Sequence, residues 1–551
     1  MTRFITYDRK KMKDCLTKKR HDLLVIGGGI TGAGVLLDAA SRGLKAALVD
    51  MQDFAAGTSS RSTKLIHGGL RYLKQFEFKL VAEVGKERAL VYENGPHVTQ
   101  PEWLLLPIYK GGTLGPLSTR IGLRLYDRLA QVKKTERHRM LNVKATLEKA
   151  PLLLKDGLLG AGYYSEYKTD DARLVIEVLK KAVELGAVAC NYVKAVGFVH
   201  RDGKVIGVKV EDELTNEAYT IYAKKIVNAA GPWVDAIREL DGFREKKRLF
   251  LTKGVHLVFD QRRFPLTQAV YFDAQDGRMI FAIPRDGKTY VGTTDTPYGE
   301  SLRHPETTHE DATYLLKAIN HIFPTLRLTE ADVESSWAGL RPLVHEAGKN
   351  PGEISRKDEI FTSPTGLISI AGGKLTGYRK MSEKIVDIIT NQLEKEEGIL
   401  YQRSKTATLP ISGGDVGGAA NFRNYVERKT ALGVRMGLSA GTATYLAEKY
   451  GSNVDLMHRF YQNALNEKTK LAPVLLAELM YAIECEAALK PTDFFVRRTG
   501  MLYFDIASVI ELKDAVIKFM AEKLNWTEDE RRKNETELDA EIGRAKLKDV
   551  T

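Results

Sequence analysis

The sequence predicts an α/β protein in which a parallel βαβ unit is joined to an antiparallel sheet and a helical C-terminal region. Residues 22–50 are typical of strand, glycine turn, helix and second strand. Between residues 187 and 300, short apolar runs alternate with hairpin turns. After residue 400, strand patterns almost vanish and helical patterns replace them. A chain of 551 residues is too long for one hydrophobic core, so we expect two or three domains.

The βαβ unit carries a glycine pattern with an acid at the expected distance. An apolar run leads into Gly27-x-Gly29-x-x-Gly32, and the second apolar run ends in Asp50. In a dinucleotide-binding unit, these glycines allow the tight turn, the approach of a pyrophosphate and close helix packing, while the acid binds a ribose hydroxyl. The helix N-terminus presents unpaired N–H groups to the phosphates. We predict a dinucleotide site; an ordinary βαβ unit with a glycine-rich turn is the alternative.

The middle of the chain predicts further helices and hairpins. Residues 172–186 have helical periodicity and follow the N-cap candidates Thr169, Asp170 and Asp171. The turns RDGK and ELTNEA predict hairpins between residues 188 and 230, and a second RDGK at 285–288 predicts another. Residues 367–371, LISIA, predict a buried strand that leads into a glycine turn and a helix.

These patterns suggest a division of the chain. Residues 1–21 are polar and predict a poorly ordered leader. We assign 22–395 to a nucleotide-binding domain interleaved with a substrate domain, the latter mainly 75–165 and 245–350, and 400–551 to a helical C-terminal domain.

Composition restricts the classes of partner. The formal net charge of +12 favours anionic ligands or surfaces, but no dense basic block is interleaved with aromatics, so we do not expect nucleic acid binding. Cys15, Cys190 and Cys485 match no zinc, CxxC or disulfide spacing, which fits a reducing compartment, and we expect no metal site. No apolar run is long enough to span a bilayer, so we expect any membrane contact to be peripheral.

Several motifs in a fixed order narrow the family. They are TSSRSTKLIHGGLRYL at 58–73, KGVHLVF at 253–259, GTTDTPY at 292–298, GLRPL at 339–343 and GGKLTGYRK at 372–380. By these motifs the chain resembles the FAD-dependent glycerol-3-phosphate dehydrogenases, within the D-amino-acid-oxidase superfamily of glutathione-reductase-like flavoproteins. The resemblance is dense over about residues 20–395 and looser beyond, where ALKPTDFFVRRTGM is similar to the family's tail. It implies a glutathione-reductase-like FAD-binding Rossmann domain and an antiparallel-sheet substrate domain.

The resemblance also implies a reaction and an electron path. It implies that sn-glycerol 3-phosphate is oxidised to dihydroxyacetone phosphate by hydride transfer from C2 to flavin N5, with electrons passed to membrane menaquinone or ubiquinone. The chain carries one complete dinucleotide motif, which favours direct reduction of the flavin by substrate over passage through NAD. We expect a cytoplasmic protein, peripherally associated with the inner face of the membrane, and leave open a homodimer.

Site residues follow from the same resemblance. It places Arg71, Arg341 and Lys374 on substrate and in catalysis. Arg356 is a further candidate for the phosphate, and Tyr72, next to Arg71, is a candidate hydroxyl donor. His256 is our choice for the base, because a neutral imidazole can accept a proton near pH 7; Arg341 as stabiliser of the developing alkoxide is the alternative. The helix near Thr376 would direct its positive end toward the reduced flavin. The implied cofactor-binding residues are Gly27, Gly29, Ile30, Thr31, Gly32, Asp50, Thr58, Ser59, Lys64, His67, Gly68, Gly69, Leu70, Val193, Ala230, Gly231, Trp233, Asp295, Gly373, Leu375 and Thr376.

Three other functions compete with this one. A glycerol-phosphate oxidase that forms hydrogen peroxide has the same fold, but no oxidase-type insertion is evident in residues 300–370, which favours a dehydrogenase. A relative acting on amines or amino acids would need fewer phosphate-binding cations than Arg71, Arg341 and Lys374 supply. A flavin-binding protein without turnover is disfavoured by the complete motif set.

Overall fold

The computed structural model describes residues 4, 8–68, 77–243, 247–346, 358–372 and 374–547. The strands, in chain order, are β1 (His21–Ile26), β2 (Ala46–Val49), β3 (Leu65–Ile66), β4 (Thr99–Tyr109), β5 (Arg139–Leu141), β6 (Leu158–Thr169), β7 (Val188–Cys190), β8 (Val193–Arg201), β9 (Lys204–Asp212), β10 (Ala218–Asn228), β11 (Lys247–Asp260), β12 (Ala269–Asp273), β13 (Met279–Arg285), β14 (Lys288–Gly292), β15 (Thr296–Pro297), β16 (Val333–Glu346), β17 (Glu359–Thr362) and β18 (Ile368–Ala371).

The helices surround two sheets and form most of the C-terminal region. They are α1 (Arg9–Thr17), α2 (Ile30–Ser41), α3 (Phe78–Asn94), α4 (Pro116–Leu129), α5 (Val143–Lys149), α6 (Asp171–Glu184), α7 (Val234–Leu240), α8 (His309–Ile322), α9 (Tyr378–Glu397), α10 (Phe422–Arg435), α11 (Ala440–Tyr450), α12 (Val454–Ala464), α13 (Pro473–Cys485), α14 (Met501–Phe504), α15 (Ile506–Leu524) and α16 (Glu528–Ala545). No helix among the described residues combines the length and the hydropathy that crossing a membrane requires.

The first sheet carries the nucleotide-binding unit. Within the described residues its strand order is β17-β18-β10-β1-β2-β7, and β9 and β8 continue from β10. β1 runs parallel to both β2 and β10, and β10 runs parallel to β18. Every residue of β1 and β2 is buried, as expected for parallel strands with helices on both faces. The carboxyl ends of β1, β2 and β10 therefore meet at one edge, where parallel sheets bind ligands.

The second sheet is almost entirely antiparallel. Its order within the described residues is β15-β11-β14-β13-β12-β4-β6-β3, with β16 on β11 and β5 on β6. The long pair β11 and β16 brings His256 opposite Trp337 and Thr252 opposite Arg341. One contact differs from the predicted antiparallel pattern, because β12 and β4 are parallel. They come from distant segments, so no hairpin turn fixes their relative direction.

Most local predictions are confirmed. α6 begins where predicted, with the Asp170 side chain accepting from the Arg173 N–H. Both RDGK turns join antiparallel strands, β8 to β9 and β13 to β14. The predicted buried strand is β18, and α9 follows it.

The prediction of a poorly ordered leader is wrong for Arg9–Thr17, which form α1. The Asp8 side chain caps this helix by accepting from the Lys11 N–H at 3.0 Å. Leu16 is fully buried, and Arg9 Nη2 lies 2.6 Å from Asp212. The helix is stabilised by partners about 200 residues away, which its own polar sequence does not reveal.

The C-terminal helices pack against both parts of the molecule. One hydrophobic cluster contains Tyr290 and Trp337 of the second sheet together with Tyr503 and Val509 of the C-terminal region. A buried ionic network connects the same region to the nucleotide-binding unit, where Arg173 of α6 contacts Glu486. The helical region is therefore part of one continuous packed structure.

His97 lies at this junction and makes stability depend on pH. Burial, followed by the charges of Lys180 and Arg173, lowers the pKa of His97 to about 3. The unfolded chain binds the proton near pH 6.5 whereas the folded chain does not, so stability is lost as the pH falls below about 6.5. We expect this residue to remove about 1.3 kcal/mol from the free energy of unfolding between pH 7 and 5.5.

The measurement is urea unfolding of the wild type and of His97→Asn at both pH values. The variant should lose less stability than the wild type over this interval. His309→Asn, at an exposed histidine on α8, is the control and should behave as the wild type does. Equal losses in the wild type and His97→Asn would contradict the prediction.

Candidate active site

Two adjoining cavities lie where the sheets meet. The first, of about 350 Å³, follows the carboxyl ends of β1, β2 and β10, and we call it the dinucleotide cleft. The second, of about 210 Å³, lies against β11 and β16, and we call it the reaction cavity. The residues that line both cavities are Thr58, Ser62, Pro342, Gly372 and Leu375. A ligand in the cleft therefore has one end at the reaction cavity.

The glycine turn shapes the floor of the cleft by letting backbone segments approach one another. Gly27 has φ 109°. A Cβ at this position would lie 2.6 Å from the carbonyl oxygen of Ala229, the residue that follows β10. Gly29 is the N-cap of α2, and Ser59 Oγ accepts from the Ile30 N–H at 3.0 Å. The start of the helix and a serine hydroxyl thus face the same cleft, as a phosphate group requires.

Gly32 is the glycine whose replacement should be most damaging to this turn. A Cβ at position 32 would lie 1.8 Å from the Gly27 carbonyl oxygen, so α2 would have to move away from β1. We expect Gly32→Ala to fold with most of its flavin missing. The visible flavin absorbance per mole of purified protein measures this. Gly543→Ala is the control, since a Cβ within α16 meets nothing within 4 Å and alanine favours a helix; full flavin content in Gly32→Ala would contradict the clash.

Asp50 lies at the end of β2 and lines the cleft. Its Oδ2 accepts from the Gly28 N–H at 2.6 Å, and its Oδ1 accepts from the Gln52 N–H at 2.7 Å. Burial raises the pKa of Asp50 to about 6, and the two N–H groups oppose that shift. Near neutral pH the carboxylate is mostly charged and oriented, as hydrogen bonding to a ribose hydroxyl requires.

The cleft gathers most of the predicted cofactor residues. Those that line it are Gly27, Gly29, Ile30, Thr31, Asp50, Thr58, Ser59, Val193, Ala230, Gly231, Trp233 and Leu375. Sequence reasoning missed Met51, Gln52 and Lys194, which also line it. Each lies one or two positions after a residue that was chosen, so extending the β2 and β8 motifs by that much would have found them.

Arg341 projects from β16 into the reaction cavity. Its Nη1 donates to Asp295 Oδ1 at 3.0 Å and to the Thr294 carbonyl at 3.1 Å, and its Nη2 donates to Thr293 Oγ1 at 3.1 Å. A Cβ at Gly254 would lie 2.6 Å from Nη2, so glycine on the facing strand makes room for the guanidinium. Asp295, predicted to bind cofactor, orients this arginine.

His256 lines the same cavity from β11 but is only 2% exposed. Its ring stacks on Trp337 at 4.7 Å, and its Nε2 lies 3.0 Å from Thr63 Oγ1. Its buried Nδ1 has no hydrogen-bond partner among the described residues. Burial, then Arg341 and Lys64, lower the pKa of His256 well below its ordinary value, so the ring is neutral at pH 7.

The turn between β18 and α9 forms another wall of the reaction cavity. Lys374, Leu375 and Thr376 line the reaction cavity, as does His67. Thr376 Oγ1 accepts from the His67 N–H at 3.1 Å, which ties the late glycine turn to the segment after β3. The 3-10 turn Leu375–Gly377 leads directly into α9, so the predicted helix start does face this region.

Among the described residues, three predicted cofactor residues line neither cavity. Gly32 is buried in the α2 contact described above. Lys64 Nζ donates to Asp171 Oδ1 at 2.6 Å and to the Ser60 carbonyl, and its role at the pyrophosphate or ribityl chain stays a prediction. The Gly68 N–H donates to Tyr126 Oη at 3.1 Å within a buried cluster with Glu166.

Some predictions lie outside the described residues, and others were missed. The former are Gly69, Leu70, Arg71, Tyr72, Arg356 and Gly373. Thr63, which contacts His256, was missed although it belongs to the TSSRSTK motif. Its role depends on a strand 193 residues away, and only the fold brings the two together.

The described residues fit a flavin dinucleotide. Asp50 and Val193 line the cleft side by side, the glycine turn and Ser59 line it as well, and the shared wall adjoins the reaction cavity. Bound there, a dinucleotide would present one end to Arg341, His256 and Lys374. Described side chains include no group of three His, Cys, Asp or Glu that could hold a metal ion.

Comparison with known proteins gives a consistent result. A family model described as FAD dependent oxidoreductase matches residues 22–379, and one described as C-terminal domain of alpha-glycerophosphate oxidase matches residues 404–531. The aerobic glycerol-3-phosphate dehydrogenase of Bacillus subtilis (strain 168) is 60% identical over 537 residues, 97% of each chain. That of Staphylococcus aureus (strain USA300) is 57% identical over 524 residues, 95% of this chain and 94% of the other. The glycerol-3-phosphate dehydrogenase of Bacillus halodurans complexed with FAD has a TM-score of 0.86 at 49% identity, covering 98% of both chains.

Proposed function

The chain belongs to the FAD dependent oxidoreductases, in the family of aerobic glycerol-3-phosphate dehydrogenases, and from this we propose that it oxidises sn-glycerol 3-phosphate to dihydroxyacetone phosphate. The observation that carries the proposal is a cavity with Arg341 and Lys374 on its walls, joined to the end of a dinucleotide cleft. It combines cations for a phosphate with a position for the flavin. Bound FAD would accept the hydride that leaves C2.

Phosphate binding is assigned to Arg341 and Lys374. A guanidinium is a planar fork of donors that suits phosphate oxygens, and an ammonium adds a point charge. Asp295 and Thr293 hold the guanidinium in place before substrate arrives, which reduces the entropy lost on binding. Arg71, Tyr72 and Arg356 stay predictions as further contacts.

Proton transfer is assigned to His256. Its low pKa keeps the ring neutral, and a bound phosphate dianion would raise that pKa by offsetting the nearby Arg341 charge. The Nε2 atom, beside Thr63 Oγ1 on the cavity wall, is our choice for the atom that accepts the 2-hydroxyl proton. Hydride and proton loss together remove the two electrons and two protons that convert the alcohol to a ketone.

The electron acceptor we propose is membrane menaquinone or ubiquinone. The relatives are named dehydrogenases, which favours this acceptor over oxygen. The α-glycerophosphate oxidase of Mycoplasma pneumoniae is only 18% identical, so its likeness concerns the fold alone. A quinone acceptor requires peripheral contact with the membrane, and we propose this at the inner face; a homodimer stays a prediction.

The experiment is anaerobic stopped-flow mixing of the flavin-loaded protein with sn-glycerol 3-phosphate. We expect rapid bleaching of the flavin band, and then reoxidation by a quinone analogue faster than by oxygen. Bleaching without quinone reoxidation but with rapid oxygen consumption would favour the oxidase. No bleaching would exclude the substrate, and amines and other hydroxy acids would be tested next.

His256→Asn should slow flavin reduction while leaving substrate affinity nearly unchanged. General base catalysis contributes about 10²- to 10⁴-fold, so we expect a reduction rate lower by about a hundredfold. Single-turnover reduction at several substrate concentrations separates the rate from the dissociation constant. His345→Asn, on β16 away from the cavity, is the control; an unchanged reduction rate in His256→Asn would remove it as the base.

A further inference from the structure

Thr63 presents a hydroxyl where His256 meets the reaction cavity. Both residues line that cavity, but Thr63 is half-buried whereas the His256 side chain is almost completely buried. The Thr63 Oγ1 atom lies 3.0 Å from His256 Nε2, which is within hydrogen-bond reach. A threonine hydroxyl donates one hydrogen bond and accepts others. The Thr63 hydroxyl can therefore donate to Nε2 while it accepts a hydrogen bond from a group in the cavity.

The ring of His256 is held too tightly to turn toward the cavity. One neighbour across the sheet, Trp337 of β16, stacks on the ring with centroids 4.7 Å apart. The other neighbour, Gly292 of β14, leaves room for the ring, since a Cβ there would lie 2.1 Å from Cδ2. Close-packed interiors oppose rotation of such a ring. Because Nε2 already faces the Thr63 hydroxyl, a substrate that approached Nε2 directly would have to displace that hydroxyl.

Hydrogen bonds on both sides of Thr63 fix the loop that carries it. The Thr63 carbonyl accepts from Tyr290 Oη at 3.0 Å, and the carbonyl of Ser62 accepts from Trp337 Nε1 at 3.2 Å. Ser62 is also anchored by its own N–H and hydroxyl, which both donate to Asp171 Oδ2. Trp337 therefore stacks on the histidine and holds the loop beside it, so that one side chain positions both the ring and the hydroxyl.

The residue that follows Thr63 has a strained backbone. Lys64 has φ 56°, in the left-handed region that glycine favours. Its N–H donates to Ser62 Oγ at 2.9 Å and its Nζ donates to Asp171 Oδ1 at 2.6 Å, so the surroundings maintain this conformation. Such strain clusters at functional sites, where it holds a nearby group in place. Here the adjacent group is the Thr63 hydroxyl.

We propose that Thr63 is a further catalytic residue, whose hydroxyl transfers the proton of the substrate 2-hydroxyl to His256 Nε2. The substrate O–H bond breaks as its proton moves to Thr63 Oγ1, and the proton that Thr63 held moves to Nε2. The two electrons of the C2–H bond leave as hydride to the flavin, and the alcohol becomes a ketone. Thr63 ends neutral and His256 ends as an imidazolium, so charge and protons balance. The inference rests on the proposed function and adds a proton path to it.

The variant that tests the relay is Thr63→Val, which keeps the shape of the side chain and removes the hydroxyl. Single-turnover reduction of the flavin-loaded protein by sn-glycerol 3-phosphate should be about a hundredfold slower, the loss also expected for His256→Asn. Thr63→Ser, which keeps the hydroxyl, should retain most of the wild-type rate. Thr536→Val, at an exposed threonine on α16, is the matched control and should react as the wild type does. The visible absorbance of each purified protein should show the same flavin content.

Two further measurements separate a relay from a hydroxyl that merely orients the ring. Thr63→Val combined with His256→Asn should be no slower than His256→Asn alone, because the effects of residues that act as a unit are not additive. In mixtures of H₂O and D₂O, the wild-type reduction rate should follow a curve with deuterium fraction, since two protons move in the relay and one moves in direct transfer. This measurement needs no variant, so it decides the question even where Thr63→Val fails to fold.

An unchanged reduction rate in Thr63→Val would overturn the relay. So would losses that multiply in the double variant, or a linear dependence of the wild-type rate on deuterium fraction. A wild-type flavin that sn-glycerol 3-phosphate does not bleach would overturn the proposed function, and the relay with it. The two failures are distinguishable, because the wild type is measured before the variants.

Discussion

Arg341→Ala will lower kcat/KM for sn-glycerol 3-phosphate by about 10²- to 10⁴-fold while the flavin stays bound. Hydrogen bonds to charged groups contribute about 1.5–3 kcal/mol each, and a guanidinium fork forms two to a phosphate. The residue lines the reaction cavity but not the dinucleotide cleft, so its removal should spare cofactor binding. Single-turnover flavin reduction gives the kinetic loss, and the visible absorbance of the purified variant gives the flavin content.

Arg248→Ala is the matched control for this variant. Arg248 lies on β11, pairs with β16 in the same ladder, and faces Glu239 at 3.9 Å on the surface, so its loss should leave turnover unchanged. Arg341→Lys should recover only part of the loss, because an ammonium cannot form the planar fork. Normal turnover in Arg341→Ala would show that the phosphate binds elsewhere.

Arg498→Met will destabilise the junction between the nucleotide-binding unit and the C-terminal helices by about 3–5 kcal/mol. Asp53 is 1% exposed and accepts from Arg498 Nη1 and Nη2, each at 2.9 Å, from Arg497 Nε at 2.5 Å and from Asn191. Burial alone would raise the pKa of Asp53, but Arg498 and Arg497 hold that pKa below its ordinary value. Removing one partner leaves a buried carboxylate without full compensation.

The Arg498→Met variant should also retain less flavin, because the loss of stability at the junction reaches the dinucleotide cleft. Asp53 lies three residues after Asp50, and the Val193 N–H donates to the Asp50 carbonyl, so the same loop carries the predicted ribose contact. Flavin fluorescence released on heating, together with urea unfolding, measures both effects. Arg423→Met on α10, where the arginine is 91% exposed beside Glu427, should change the free energy of unfolding by less than about 0.5 kcal/mol.

Asp53→Asn combined with Arg498→Met should lower the free energy of unfolding by less than the sum of the two single losses. Full additivity would show that the two residues do not form one network.

Local signals made much of this fold predictable. The glycine turn before α2, the N-cap of α6 and both RDGK hairpins are each formed by residues that are close together in the sequence. Their causes can therefore be read from the sequence itself. The same holds for the cleft residues of the glycine turn and β2. By contrast, α1 is stabilised by contacts with Asp212, and the parallel pairing of β12 with β4 joins distant segments. Such elements have no local signature.

The site residues divide in the same way. Arg341 and His256 were found through motifs, but their orientation depends on Gly254 and Trp337 on the facing strands and on Thr63 in the loop before β3. Lys64 was predicted to contact the cofactor because it lies in a flavin motif, and the ion pair of its side chain with Asp171, 107 residues away, was not foreseen. A single sequence shows which charges are present and does not show how they pair across the fold.

During synthesis on the ribosome, the contact between Asp53 and Arg498 can form only after most of the chain has been made. Because 445 residues separate the two partners, a ribosome elongating at about 5–20 residues per second needs about 20–90 s between making one and making the other. During that interval the nucleotide-binding unit has its glycine turn and its strands but lacks the arginines that compensate the Asp53 charge. Cofactor capture is therefore an event of late or completed synthesis, and a prematurely terminated chain would lack a stable place for its flavin.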